Sequence, residues 1–139
     1  METRIEILEE FKVRGFELKG SASQIPALWD KLYAETPVSG SKAEESFGVT
    51  LAIKEGVFHY LAGINAELAE GIPDTQEVLI PSGKFIVAKV EGGVEKIPEA
   101  FGRLMQRQDI QLRQSYAFER YIHPVGSVGY ETEVWVAIL

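Results

Sequence analysis

Glu119 is the residue from which a chemistry can first be read. It stands inside the strand-like run Ala117-Phe118-Glu119-Arg120-Tyr121-Ile122. A carboxylate in the middle of a strand is costly unless it is exposed, paired or given a ligand. Aromatic residues gather in comparable segments: Trp29, Phe47, Phe58, Tyr60, Phe101, Tyr116, Tyr121 and Trp135. For any one of them the plain reading is hydrophobic core. Together with one carboxylate they suit a lipophilic cation, because each ring face attracts positive charge by about 0.5–2 kcal/mol. The competing reading of Glu119 is a solvent-facing acid paired with a base on a neighbouring strand. Period-two alternation puts Glu119, Tyr121 and His123 on one face and Phe118, Arg120 and Ile122 on the other. Phe118 also wants burial, so the second face is expected to be covered in part by a dimer.

Other chemistries have less support. The chain has no cysteine and only two histidines, His59 and His123. That excludes a thiol nucleophile, a Cys-ligated metal site and a three-His zinc site; no metal and no cofactor are expected. Glu131, Glu133 and the pair Glu44-Glu45 read as solvated acids. Val38-Ser39-Gly40-Ser41-Lys42 lacks phosphate-loop spacing, and Gly92-Gly93 lacks the dinucleotide pattern. With 14 basic and 21 acidic residues the net charge is −7. No basic cluster exists to replace counterions, so direct nucleic-acid binding is not expected, and cationic partners are favoured. No apolar run approaches a membrane span, and the first residues lack a signal-peptide core, so a cytoplasmic protein is expected.

The elements that must position these residues occur twice. Ile25-Pro26-Ala27-Leu28-Trp29-Asp30-Lys31-Leu32-Tyr33 reads almost as Ile97-Pro98-Glu99-Ala100-Phe101-Gly102-Arg103-Leu104-Met105, 97 − 25 = 72 residues later. Both carry apolar residues at i, i+3, i+4, i+7 and i+8, one buried stripe on a helix. The spacing predicts helices over 24–35 and 95–107, with Ser23 as N-cap of the first. Trp29 and Phe101 are counterparts on them. Strands are predicted at 11–18, 46–51 and 59–64, and again at 84–90, 117–122 and 134–139, which aligns Tyr60 with Trp135. The chain is thus α+β: duplicated β-α-β-β modules related by a pseudo-two-fold axis. Two helices cover one face of a mainly antiparallel sheet, and a central ligand groove runs between them. The first module spans about 1–66, a linker with a short extra strand at 77–80 spans 67–83, and the second module spans about 84–139.

This pattern resembles the GyrI-like family, the effector-binding domains of AraC-type and MerR-type multidrug regulators. The resemblance rests on the duplicated module, the Ile-Pro helix starts, the Phe118-Glu119-Arg120-Tyr121 strand and the acidic, apolar last strand from Glu131. It implies a single effector-binding domain over 1–139 with a pocket for amphipathic, cationic, drug-like molecules and a buried glutamate meeting the charge. On this chain that glutamate is Glu119, with Trp29, Phe47, Tyr60, Tyr121 and Trp135 as the lining. The chain is also similar to stand-alone members without a DNA-binding domain, some carried on integron gene cassettes. A sensing or sequestering module is therefore expected, acting as a homodimer or with a partner transcription regulator. The resemblance keeps two alternatives open. One is a small-molecule hydrolase with Glu119 as base beside the Tyr60 or Tyr121 hydroxyl. The other is an inhibitor that binds another protein.

Overall fold

The structure, a computed structural model, describes residues 2–35, 45–122 and 130–139. Ten elements build it: β1 (Thr3–Leu8), β2 (Phe11–Gly20), α1 (Ile25–Glu35), β3 (Glu45–Lys54), β4 (Val57–Asn65), β5 (Gln76–Ile80), β6 (Gly83–Val90), α2 (Ile97–Met105), β7 (Ala117–Ile122) and β8 (Glu131–Ile138). Both helices start at the Ile-Pro pair, where the first N–H groups need no intrahelical acceptor. A 3-10 turn precedes each one. The cap lies at Ser21 and not at Ser23: the Ser21 N–H donates to the Gln24 side chain at 2.9 Å, the reciprocal half of a capping box.

All eight strands form one antiparallel sheet in the order β1-β6-β8-β7-β3-β4-β2-β5. That order is its own mirror under exchange of the halves, so the pseudo-two-fold passes between β3 and β7. The exchange also reveals that the edges are swapped. β1 pairs with β6 of the second half, and β5 pairs with β2 of the first. β5 is therefore the counterpart of β1. The expected linker at 67–83 contains the first strand of the second module, and each module is β-β-α-β-β.

One row of directly opposed residues crosses the sheet: Phe16, Ala62, Gly48, Glu119, Val134 and Ala88. Opposed residues share a face, and both helices lie on this one. α1 packs Leu32 on Phe16, Tyr60 and Ala62; α2 packs Ala100 and Leu104 on Ile86, Ala88, Val134 and Val136. Trp29 and Phe101 are half-buried at the helix flanks.

The other face is a second core of Phe47, Phe85, Phe118, Trp135 and aliphatic neighbours. Phe11 on β2 and Phe118 on β7 have ring centroids 6.0 Å apart. Their strands stand three places apart in the order, about 14 Å in a flat sheet. The sheet therefore curls over this face and fills it with its own rings. The dimer expected to cover Phe118 is not needed, because Phe118 is buried by its own chain. Among the described residues, no helix is long and apolar enough to cross a membrane.

Candidate functional site

Glu119 opposes Gly48 where β3 and β7 pair, on the helix face and beside the pseudo-axis. It is 6% exposed. Tyr60 reaches its carboxylate from β4, on the far side of β3, and the hydroxyl donates to Oε1. That path crosses β3 over Gly48, the one point where no side chain blocks it. A Cβ built at Gly48 would overlap both the Tyr60 hydroxyl and the Glu119 carboxylate. Tyr121, two residues along the same strand, donates to the same oxygen at 3.3 Å. Trp29 of α1 lies on top: its indole N–H donates to the Tyr60 hydroxyl at 3.1 Å, and its ring meets Tyr121 edge-on at 5.0 Å. The result is a donor chain from Trp29 through Tyr60 to Glu119.

The electrostatics follow from this packing. Burial lifts the Glu119 carboxyl from 4.5 to about 7, because the charged form loses its water. Bonds from Tyr60 and Tyr121 pull the other way and only partly offset it. Burial and then the neighbouring carboxylate push both phenols upward, so they stay protonated and act as donors. Among the described residues no Lys, Arg or His pairs with Glu119. Arg120 points to the opposite face and binds Glu45 at 2.6 Å and Glu133 at 3.1 Å.

Two further rings lead from this centre to solvent. Trp29 contacts Tyr33 at 5.7 Å and Tyr121 contacts Tyr130 at 5.9 Å. Tyr33 is 41% exposed and Tyr130 52%. Tyr33, expected in the buried helix stripe, is therefore exposed, and Tyr130 lies outside the repeated elements that carry a sequence signal. The i, i+4 spacing of Trp29 and Tyr33 was the available signal for the first.

The residues expected to line one pocket divide between the two faces. Trp29, Tyr60, Tyr121 and Glu119 come together on the helix face. Phe47 and Trp135 lie in the core beneath the sheet. Trp135 stacks on Phe118 at 5.5 Å and 14°, and Phe47 meets the same ring at 6.0 Å. The alignment of Tyr60 with Trp135 is off by three residues. Tyr60 pairs with Leu18 and Thr132 with Val90, so the counterpart of Tyr60 is Thr132.

Among the weaker candidates, Glu133 is not solvated. It is buried between Arg4 at 2.7 Å and Arg120, and it accepts the Trp135 N–H at 3.1 Å. Glu131 is exposed, 3.7 Å from Lys89. His59 pairs with Glu17, away from the site. His123 and Glu44 lie outside the described residues.

Gly48→Ala tests the geometry. The new methyl must displace two buried polar ends, so stability should fall by about 1–3 kcal/mol in urea denaturation, the usual cost of overpacking. A change below the error of that measurement would mean that Tyr60 does not cross β3 here.

A profile of the GyrI-like small molecule binding domain matches residues 1–139. The transcriptional regulator BrlR of Pseudomonas aeruginosa is 30% identical over 132 residues, covering 87% of this chain and 48% of BrlR. The chain thus spans about half the length of the curated relative it matches. An integron cassette protein from the mobile metagenome of Vibrio cholerae superposes with a TM-score of 0.72 at 16% identity, over 99% of this chain and 95% of that one. SAV2435 bound to tetraphenylphosphonium gives a TM-score of 0.72 at 19% identity, over 100% of this chain and 94% of the other. At these identities the two structures speak for the fold.

Proposed function

The chain belongs to the GyrI-like small-molecule binding domain family, and from that premise we propose that it binds lipophilic cations with Glu119 as their electrostatic anchor. One observation carries this reading. A buried carboxylate accepts bonds from two phenols and, among the described residues, has no cationic partner. Such a group needs either a proton or a cation. Tyr60, Tyr121 and Trp29 supply ring faces around the charge, and Tyr33 and Tyr130 continue the rings outward. Phe47 and Trp135 support the floor as core. The ligand named with SAV2435, tetraphenylphosphonium, has the same chemistry: one positive charge among apolar rings.

The carboxylate is buried beneath Trp29, so a cation reaches it by shifting the Trp29 ring aside, where that ring can still face the charge, and α1 is the element that gives way. Leu32 is its one fully buried side chain, whereas α2 sinks both Ala100 and Leu104. As a single domain over 1–139 the chain would sense or sequester the ligand, alone or with a partner regulator. BrlR, the longer relative, is a transcriptional regulator.

Titration with tetraphenylphosphonium, a neutral analogue of the same shape and a tetraphenyl anion tests this. The cation should raise the melting temperature more than the neutral analogue does, and the anion should not raise it, since a ligand of the native state stabilises it by RT ln(1 + [L]/Kd). Glu119→Gln should weaken the cation more than tenfold, about 1.4 kcal/mol, and leave the neutral analogue unchanged. Equal loss of both would give Glu119 a packing role; no loss would place the site elsewhere. A carboxyl near 7 beside two phenols also suits a general base. Hydrolysis of an ester or strained ring, abolished by Glu119→Gln, would favour that second reading.

A further inference from the structure

β1 is an outer edge of the sheet: among the described residues it pairs with β6 on one side only. Its sequence from Thr3 is Thr-Arg-Ile-Glu-Ile-Leu. Ile5 and Ile7 are 53% and 79% exposed on the helix face, while Arg4 and Glu6 project from the opposite face. An exposed edge with two large apolar side chains is a template for another strand. The charges say which strand. Within one chain Arg4 holds Glu6 at 2.8 Å and Glu133 at 2.7 Å. In an antiparallel pair centred on Ile5, the Arg4 of each copy faces the Glu6 of the other, so the two in-chain pairs join into one alternating network across the seam, and Ile5 faces Ile5. Centring on Glu6 would set two carboxylates face to face. Centring between Ile5 and Glu6 would oppose Ile5 to Glu6 and Arg4 to Ile7. The edge is therefore self-complementary in one register, with opposite charges directly opposed across the strands.

The other edge offers no such match. On β5 (Gln-Glu-Val-Leu-Ile), Glu77 stands where β1 has Ile5, and the strand carries no base, so no antiparallel register of two β5 strands opposes unlike charges.

We propose that β1 is a self-association surface, on which two copies pair antiparallel about Ile5 and join their eight-stranded sheets into one. The contact is isologous and closes as a dimer. It is independent of the Glu119 site, which lies three and four places away in the strand order, at β7 and β3.

Sedimentation equilibrium from micromolar to sub-millimolar protein should show a monomer–dimer equilibrium. Ile5→Lys sets two ammonium groups opposite each other and should yield monomer, with the circular dichroism spectrum unchanged. The chain has no cysteine, so single cysteines report the register. Ile5→Cys should oxidise to a covalent dimer, because each copy meets itself at that position. Ile7→Cys, which faces Thr3 of the second copy, should not. A monomer at every concentration would overturn the proposal, as would a dimer indifferent to Ile5→Lys. Equal cross-linking at both positions would overturn the register. A ladder of higher oligomers would mean β1-to-β5 chaining, and it too would contradict the closed dimer.

Discussion

Glu119→Gln should make the protein more stable than the natural chain at pH 8 and no more stable at pH 4. Burial raises the folded carboxyl to about 7 from 4.5. Between those values the native state keeps a proton that the unfolded chain has released. Stability contributed by the protonated form is fully present below 4.5 and is lost as pH rises through about 7. The gap corresponds to roughly 3 kcal/mol at most, at about 1.36 kcal/mol per pH unit. Glutamine has the shape of the protonated acid, still accepts the Tyr60 hydroxyl, and never ionises. Every other acid titrates alike in both proteins, so the difference between their urea midpoints isolates Glu119. A difference that does not change with pH would mean that Glu119 is hydrated in the folded protein. Under the proposed reading, this loss of stability above the folded pKa is the cost of keeping an anchoring charge unpaired.

The second large effect concerns the helix anchors. Leu32 and Leu104 are fully buried beneath α1 and α2. Truncation to alanine removes the side chain and leaves a cavity, so each change should cost about 2–5 kcal/mol. That is a large part of the 5–15 kcal/mol that typically holds a domain together. The two should separate in binding. Leu104 packs on Val134, Val136, Ile86 and Ala88; it reaches Glu119 only through Val134, the residue opposite it, and lies outside the Trp29–Tyr60–Glu119 hydrogen-bond chain, so Leu104→Ala should change cation affinity less than Leu32→Ala does. Leu32 packs on Tyr60 in the cluster that Trp29 joins, so Leu32→Ala should change affinity as well. A loss under half a kilocalorie at either site, far below the expected range, would show that the helix face is assigned wrongly.

The repeat made much of this legible from residues alone. Two copies of one amphipathic stripe, 72 residues apart, put both helices on one face, and the lone acid among apolar strand residues marked Glu119. Gly48 stands at the position equivalent to Glu119, but no residue pattern reveals it as the gap that Tyr60 crosses. β1 was not legible. Its run is six residues long with two charges, and its partner β6 begins eighty residues later, so no local pattern announces the swapped edge. The grouping of Trp135 with Tyr60 failed on alignment. A shift of three residues is odd, and an odd shift moves a side chain to the other face of a sheet. Phe47 was misplaced for a related reason. Alternation says which residues share a face, but curl decides whether the second face is solvent or core. The curl is set by contacts such as Phe11 on Phe118, across four strands.

The most direct test of the Glu119 anchor is the affinity for tetraphenylphosphonium at pH 6 and at pH 8. A cation binds the ionised carboxylate, and below about 7 most of the protein carries a proton there. Affinity should therefore fall about tenfold from pH 8 to pH 6 by linkage, with one proton released on binding below the folded pKa. The Glu119→Gln protein should bind weakly at both pH values with no slope, and the neutral analogue should show none with either protein. A natural chain whose cation affinity does not change between pH 6 and pH 8, or a slope that survives in Glu119→Gln, would contradict the account.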